Sequence, residues 1–331
     1  MINLNTMNND CLLCVFIKLP IDDIHSILSA CKQFNVVANF DVIWKLLFDS
    51  KFKYMTVNNN YKLKYKEYDQ LDNFLKRNYS YANWQKEDKI INTLVNIYYS
   101  YDLSLSFNEL ELLPKEIGLL TNLQRLRCID NKLESLPSEI GLLTNLRELR
   151  LHSNELESLP TEIGLLTNLT FVDLHNNKLK SLPKEIGLLT NLRELLLCEN
   201  RGMTIPEELF NLSNLNNLSF DCIRLESLSV NIGKLTRLEH LYLSNNQLES
   251  LPEIICSLTN LKRLILWGNN LEELPENIGL LTNLFALPLY DNNFKSLPFS
   301  MSSLTRLSEF MINKEHVNFV PHNLRNIIAE V

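Results

Sequence analysis

The chain has 331 residues, of which 45% are hydrophobic and 21% are charged, a balance typical of a folded protein rather than a disordered one. Its formal net charge of −7 argues against partners such as nucleic acid or an anionic membrane, which bind through an excess of cations. The apolar run near the start is too short to span a bilayer, no basic segment precedes it, and the seven cysteines are odd in number. We therefore expect reduced thiols and a location in the cytoplasm or nucleus, or in the host cytoplasm if a virus encodes the chain.

Composition divides the chain near residue 100. Residues 1–100 contain no Gly and a single Pro, whereas all 8 Gly and the other Pro residues lie beyond. Charge divides in the same place, since residues 1–100 hold 12 basic and 10 acidic side chains and the remainder holds 20 and 29. We therefore predict a domain boundary near residue 100, with a repeat domain over residues 101–331. The patterns described below divide the first part into a small helical domain over residues 1–50 and a helical connector and N-terminal cap over residues 51–100.

The first 50 residues read as short amphipathic helices. Leu12, Leu13, Phe16 and Leu19 are spaced to share one helix face, which Pro20 ends. The order of segments then resembles the F-box: an acid-Leu-Leu-x-x-Phe segment, Leu-Pro-x-Asp-Asp-Ile, Ala-Cys-Lys-x-Phe and Asp-x-Ile-Trp-Lys-x-Leu-Phe. The pattern departs from the family at two points, because Met-Asn stands where Leu-Pro is expected and Phe stands where Trp is expected.

The F-box resemblance implies binding to the Skp-type adaptor of cullin-RING ubiquitin ligases, and through it to the cullin. The positions that match the adaptor contact are Met7, Leu12, Leu13, Phe16, Leu19, Pro20 and Ile24. The alternative is that these apolar side chains only close a small helical cap on the repeat domain.

The connector is predicted to form helices over Leu63–Lys76 and Glu87–Ile97. Its lysines alternate with tyrosines, a pattern that also occurs in proteins that bind nucleic acid. Because the whole chain is acidic, we favour a solvated helix face with buried tyrosines, and we predict that residues 85–100 cap the exposed end of the repeats.

A 23-residue repeat fills the rest of the chain. The string Leu-Pro-x-Glu-Ile-Gly-Leu-Leu-Thr-Asn-Leu begins at Leu113, Leu136, Leu159 and Leu182, and decayed copies follow at the same 23-residue step. An Asn keeps this step from Asn108 to Asn292 except at Ile223, which gives about ten units. Alternating leucines before each Asn predict a short strand with one buried face, and the amide can satisfy the turn of its own unit and of a neighbour.

The pattern L-x-x-L-x-L-x-x-N-x-L resembles the leucine-rich-repeat family, and the Leu-Pro-x-Glu-Ile-Gly segment looks like its Ras-group-related subclass. The predicted fold is α/β: a curved leucine-rich-repeat solenoid, with a parallel β-sheet on its concave side, preceded by the small all-α F-box-like domain. Strands pack about 4.8 Å apart while the return segments need more room, so the stack is expected to bend.

The repeat phase predicts which strand side chains point out of the concave face. Arginines cluster in the early repeats, and aromatic and apolar side chains cluster in the late ones, which is the composition of interaction hot spots. The residues predicted to bind a target are Arg125, Arg127, Arg150, Tyr242, Arg263, Ile265, Trp267, Pro288 and Tyr290. The alternative for the arginines is a solvated face with ion pairs, for example to Glu148.

Two further features of the repeats bear on function. His152, His175, Cys198 and Asp221 occupy one outward column, but a straight row of ligands is not tetrahedral, so we predict no metal, no cofactor and no catalytic residue there. The repeats are irregular at Gly202, Phe210, Ile223 and Ser229, which reads either as drift or as a distortion that forms part of a binding site.

The resulting functional prediction is a non-enzymatic substrate-recognition subunit of an SCF-type (Skp-cullin-F-box) ubiquitin ligase. The F-box would dock the adaptor, and the concave repeat face would hold a target protein, with no nucleic acid or membrane as partner. The alternative is a scaffold that binds a small Ras-like GTPase, with the N-terminal helices acting only as a cap. An enzyme that uses His175 and Cys198 is the least favoured hypothesis.

Overall fold

The computed structural model describes residues 61–78 and 101–330, which belong to two compact units that divide after Tyr101. In the first unit, helix α1 spans Tyr61–Asn78 and confirms the helix predicted over residues 63–76. Its buried side chains include Tyr68 and Leu71. The helices predicted within residues 7–50 and over residues 87–97 lie outside the described residues. No helix among the described residues has both the length and the apolar character needed to cross a bilayer.

The second unit is built on one sheet of eleven parallel strands that follow one another in chain order. The strands are β1 Asp102–Ser104, β2 Arg125–Arg127, β3 Glu148–Arg150, β4 Phe171–Asp173, β5 Glu194–Leu196, β6 Asn217–Ser219, β7 His240–Tyr242, β8 Arg263–Ile265, β9 Ala286–Pro288, β10 Glu309–Ile312 and β11 Ile328–Glu330. Each of the first ten begins 23 residues after the one before, as the repeat predicts. We call each repeat of strand, turn and return segment a coil.

Register in the sheet follows the repeat phase, because equivalent residues of successive coils pair with each other. Leu126 of β2 pairs with Leu149 of β3, and Leu195 of β5 pairs with Leu218 of β6. These middle residues are fully buried, whereas the residues on either side point out of the sheet. Burying a leucine stabilises the fold by about 2 kcal/mol, so the stacked leucines form one continuous core along the coils.

The return segments are short 3₁₀ helices, most of which begin directly after the Pro of the Leu-Pro motif. They span Lys115–Leu119, Ser138–Leu142, Thr161–Leu165, Lys184–Leu188, Glu207–Asn211, Val230–Lys234, Glu253–Ser257, Ile278–Leu280, Phe299–Ser303, Lys314–Phe319 and His322–Ile327. Pro suits the position just before the helix because its ring fixes φ near the values of −69° and −67° found at Pro114 and Pro137, and it has no N–H that would need a partner.

The Gly of the Ile-Gly motif is required by close contact between coils. A Cβ on Gly187 would lie 2.4 Å from the main-chain oxygen of Glu208 in the next coil, and one on Gly279 would lie 2.0 Å from that of Ser300. The space over the Gly is taken by the Leu that follows the motif one coil later, since Leu142 Cδ1 would lie 3.0 Å from a Cβ on Gly118. These close contacts explain why the motif keeps Gly and Leu together.

The repeated Asn forms a buried ladder that links successive coils. Asn177 Nδ2 donates to the carbonyl oxygens of Leu151 and Leu174 at 3.0 Å, and its Oδ1 accepts from the N–H of Leu156 at 3.0 Å. Equivalent bonds recur along the stack, and the side chains that make them are Asn131, Asn154, Asn200, Asn246, Asn269 and Asn292. The predicted role of the amide, which serves its own coil and a neighbour, is confirmed.

In the irregular coils, other groups replace the hydrogen bonds that the standard repeat residues would make. Where Ile223 replaces the ladder Asn, the N–H of Gly202 donates instead to the main-chain oxygen of Ile223 at 2.8 Å. Gly202 has a φ of +80° and is exposed, and the buried position moves one residue on to Met203. Where Ser229 replaces Pro, its side chain accepts from the N–H of Asn231 at 3.1 Å and so caps the return segment.

Candidate protein-binding face

The outward side of the sheet carries the candidate site, and we call it the strand face. Because each strand has only three or four residues, it presents two outward side chains around one buried residue, and the turn that follows adds a third. Most of these side chains are half-buried, because each packs against the equivalent side chains of the coils above and below. The strand face is therefore a continuous surface rather than a set of isolated groups.

An aromatic cleft of about 360 Å³ lies on the strand face between β7 and β10. The structure brings together here the five aromatic and apolar residues predicted from the sequence, Tyr242, Ile265, Trp267, Pro288 and Tyr290. The rings of Trp267 and Tyr290 stack, with centroids 5.2 Å apart and planes 10° apart. On the other side of Trp267 the same column carries the small Ser244, so the cleft stays open beside the indole.

The cleft also has an acidic end that sequence reasoning did not select. Asp221 lines it, and its Oδ1 accepts from the N–H and from the hydroxyl of Ser244, both at 2.6 Å. Burial raises the pKa of the Asp221 carboxyl above its usual value, although these hydrogen bonds oppose the rise. Glu309 and Met311 line the cleft as well. The only signal for these residues in the sequence was their place in the outward columns.

The early arginines are largely paired with acids, as the alternative interpretation predicted. Arg125 Nε and Arg127 Nη2 lie 3.0 and 2.8 Å from Asp102 Oδ2, and Arg150 Nε lies 2.5 Å from Glu148 Oε1. These groups are a quarter to a half exposed, so their ion pairs add little stability, but the arginines remain accessible to a partner.

Arginine makes the same kind of contact on two strands of this face, β3 and β8. Arg150 places its guanidinium 4.6 Å from the ring centroid of Phe171, and Arg263 lies 4.8 Å from that of Phe285. Arg263 also contacts Glu309 at 3.4 Å, at the edge of the aromatic cleft. Both side chains are therefore held in place before any partner binds, which reduces the entropy lost on binding.

A cluster of His152, Asp173 and His175 lies in the middle of the strand face. Asp173 Oδ1 lies 2.6 Å from His175 Nδ1, and Asp173 Oδ2 lies 2.9 Å from His152 Nδ1. The two imidazole rings stack with centroids 4.3 Å apart. The hydrogen bond with Asp173 raises the pKa of His175, whereas burial lowers the pKa of His152. Sequence reasoning placed the two histidines in one column but missed Asp173, which comes from the neighbouring column.

The third hypothesis, a nucleophilic Cys198, receives no support from this geometry. Burial raises the pKa of the Cys198 thiol to about 12, whereas a nucleophile needs a lowered value. The nearest partner of the His175 ring is Asp173 and not the thiol.

Two other depressions lie among the described residues. One, of about 650 Å³, follows the irregular coils and is lined by Met203, Phe210, Phe220 and Leu228 among others. The other, of about 640 Å³, runs along the edge that precedes the strands, and its lining includes Arg147 and Arg193. Arg147 thus lines a different groove from Arg125, Arg127 and Arg150.

Comparison with known proteins identifies the repeats. Residues 140–247 match the family model of a leucine-rich repeat region, and residues 236–278 match a model of two leucine-rich-repeat copies. A solved leucine-rich-repeat protein of Leptospira interrogans is 36% identical, with a TM-score of 0.62, over 75% of this chain and 70% of that chain. The chain belongs to the leucine-rich-repeat family.

Two further solved structures share the fold of this leucine-rich-repeat chain. Internalin C2 of Listeria monocytogenes is 25% identical, with a TM-score of 0.54, over 59% of this chain and 83% of its own. The plant peptide hormone receptor RGFR1, solved in complex with RGF2, is 29% identical with a TM-score of 0.54, over 70% of this chain and 43% of its own. No curated protein matches the chain.

These findings confirm the repeat part of the predicted fold and support a role in protein binding. Both family matches lie within residues 101–331. The F-box-like segment, with the adaptor-binding positions predicted between Met7 and Ile24, lies outside the described residues.

Proposed function

We propose that this chain is the substrate-recognition subunit of an SCF-type ubiquitin ligase, which holds a target protein on its strand face. The observation that carries the target-binding half is the open aromatic cleft beside the stacked Trp267 and Tyr290. Large aromatic side chains that stay half-exposed on a folded protein are typical of binding hot spots. The adaptor-binding half rests on the F-box resemblance of residues 7–50.

The chemistry of the cleft favours a target with a basic anchor. A Lys or Arg side chain of the target can lie against the open side of Trp267, where a cation–π contact is strongest. Its charged end then approaches the carboxylate of Asp221, whose electrostatic neighbours among the described residues are serines and not basic side chains. Peptide binding by a leucine-rich-repeat solenoid has a precedent in the receptor RGFR1, which was solved in complex with RGF2.

The mechanism of such a receptor is tethering. The chain would hold the target near a ubiquitin-conjugating enzyme, which raises the effective concentration of target lysines without chemistry in this chain. We propose the cytoplasm or nucleus as the place of action, with a Skp-type adaptor and a cullin as the ligase partners.

The test is affinity purification of the full-length chain with two double variants. Leu13→Asp/Phe16→Asp should lose the adaptor and cullin while it keeps the target. Trp267→Ala/Tyr290→Ala should lose the target while it keeps the ligase subunits. Phe299→Ala, which removes an aromatic side chain that is 81% exposed on a return segment, is the matched control and should keep both.

Three outcomes would contradict parts of the proposal. If the wild-type chain retains no adaptor, or retains it equally with Leu13→Asp/Phe16→Asp, the N-terminal segment is only a cap. If the chain instead binds a small GTPase in one nucleotide state, the scaffold alternative is correct. If the Trp267→Ala/Tyr290→Ala variant keeps every target, the aromatic cleft is not the binding site.

A further inference from the structure

The cluster of His152, Asp173 and His175 has the composition of a transition-metal site. Two imidazoles and one carboxylate are a ligand set that proteins use for zinc, with a fourth position left for water or another group. One ligand atom of each of the three side chains lies within 4.8 Å of the other two. Because Asp173 reaches between the two histidines, these ligand atoms form a triangle and not the straight row expected from the histidine column alone.

Asp173 is a buried carboxylate with one imidazole on each side. Its side chain is only 5% exposed, and the two imidazoles are the only basic groups within ion-pair distance among the described residues. A buried carboxylate is costly unless a positive charge or metal compensates it. The charge of Arg150 affects His152, but its guanidinium already makes an ion pair with Glu148 and a cation–π contact with Phe171.

The bonding of His152 is incomplete. Its Nδ1 is buried and lies 2.9 Å from Asp173 Oδ2, yet it makes no hydrogen bond of acceptable geometry within the described part of the chain. His240 Nδ1 is orphaned in the same way but lies outside the cluster, so the unpartnered nitrogen of His152 supports an ion site only together with the carboxylate beside it. In the tautomer that leaves His152 Nδ1 unprotonated, its lone pair and the Asp173 carboxylate face each other and can bind the same metal ion.

The distances allow coordination after small movements. Zinc bonds to nitrogen and carboxylate oxygen at about 2.0–2.2 Å, so ligand atoms of a tetrahedral site lie about 3.3 Å apart. Since the three ligand atoms lie within 4.8 Å of one another, none needs to move more than about 1.5 Å. The His152 and His175 side chains are 19% and 32% exposed, so the site opens onto the strand face.

We propose that His152, Asp173 and His175 bind one Zn²⁺ ion on the strand face, with the remaining coordination position open to solvent. This site is separate from the aromatic cleft, and it does not depend on the proposed ligase function.

The test is zinc titration of the full-length, chelator-treated chain by calorimetry, with metal content measured after gel filtration. We expect one Zn²⁺ per chain, bound in preference to Mg²⁺ and Ca²⁺, which favour sites made only of oxygen ligands. Asp173→Asn and His175→Gln should each weaken zinc binding by at least about tenfold, since even partners that only orient a ligand contribute 10–100-fold. His240→Gln is the matched control, because His240 is a half-buried histidine in β7 outside the cluster, and it should change affinity by less than about twofold.

The folded state of each variant is checked by circular dichroism. The tetrahedral Co²⁺ absorption spectrum of the wild-type chain gives a second readout that needs no substitution, and it should change in His175→Gln and not in His240→Gln. The proposal is wrong if the wild-type chain retains no Zn²⁺. It is also wrong if folded Asp173→Asn and His175→Gln variants bind Zn²⁺ as the wild type does, since the ion would then lie elsewhere, for example on the cysteines of residues 1–50.

Discussion

Individual asparagines link successive coils of this solenoid through buried hydrogen bonds. Asn177 makes hydrogen bonds to main-chain groups of its own coil and of the preceding one, and it is almost completely buried. The alternation of leucines and the 23-residue step were enough to predict this role from the sequence. The amide must serve both coils because no water reaches these main-chain groups.

Asn177→Ala should lower the free energy of unfolding by about 2–4 kcal/mol, because it leaves several buried main-chain groups without partners. Urea denaturation followed by circular dichroism measures this change. Asn191→Ala is the control, since Asn191 is exposed and donates one bond, to the main-chain oxygen of Thr167, and its cost should stay below about 1 kcal/mol. Equal losses in the two variants would contradict the importance of the buried ladder.

Asp221→Asn should become more stable relative to the wild type as the pH rises. Because burial raises the pKa of Asp221 in the folded state, the folded chain holds this proton more tightly than the unfolded chain does. The stability that the protonated carboxyl provides is therefore lost as the pH rises through the raised pKa, and the Asn variant does not suffer this loss.

The measurement is the difference in free energy of unfolding between this variant and the wild type, from about pH 4 to about pH 7. Glu249→Gln makes the same charge change at an exposed site and serves as the control. The prediction fails if the difference in free energy of unfolding stays constant with pH, or if the wild type gains stability relative to Asp221→Asn as the pH rises. Either result would show that burial does not raise the pKa of Asp221.

Contacts between side chains of neighbouring columns could not be predicted from the sequence. The column positions of His152 and His175 followed from the repeat phase, but the contact of both with Asp173 depends on side-chain rotamers across two columns. A repeat pattern fixes which residues share a face, and it does not fix how far a side chain leans toward its neighbour. For the same reason Asp221 was placed in an outward column but not in the aromatic cleft.

At the scale of the elements, the return segments set how closely the coils approach. Their glycines lie against the main chain of the next coil, so the spacing between coils depends on the absence of a Cβ. The sequence predicted the strands and their phase, but not that the return segments are 3₁₀ helices or that β11 extends the sheet after a shorter step than 23 residues. The final coil, which contains β11, was not predicted because its residues no longer follow the 23-residue repeat.

Gly279→Ala should lower the free energy of unfolding by about 1–3 kcal/mol, since the added Cβ would lie 2.0 Å from the main-chain oxygen of Ser300 and the coils must separate. Thermal unfolding measures the loss. Ser302 holds the same position one coil later and already carries a Cβ, so Ser302→Ala should change stability by less than about 0.5 kcal/mol. A neutral Gly279→Ala would mean that the return segments are not in close contact.

Each coil of a repeat domain contacts only the coils next to it, so its stability depends on its own packing and on its interfaces with those neighbours. The sheet ends at β11, and the preceding 3₁₀ segments cover the last turn of the core with Val320 and Leu324. The family comparisons and the sheet confirm the predicted repeat architecture, whereas the predicted division at residues 50 and 100 and the F-box remain predictions. The 23-residue repeat is a strong signal because it recurs about ten times in the sequence. The F-box-like pattern is a weaker signal because it occurs once, over about 45 residues.

Leu324→Ala should loosen the C-terminal end without unfolding the middle of the stack. The substitution removes a side chain that is 3% exposed, at a cost of about 2–4 kcal/mol. Hydrogen exchange should therefore speed up in β10 and β11 and stay unchanged in β5 and β6, and the exposed His322→Ala should have no effect. Uniform acceleration along the sheet would contradict nearest-neighbour stability.

The early coils are so similar in sequence that one whole coil can be deleted or duplicated. Deletion of residues 142–164 would join Gly141 to Leu165 and regenerate the same local sequence, so a coil can be lost without a new sequence at the junction. The deletion would bring Arg125 and Arg127 about 4.8 Å closer to the aromatic cleft, and it would also remove Arg150 and His152. The distance between the two candidate contact patches can therefore change in steps of one coil, whereas the zinc site depends on the coil that contains His152.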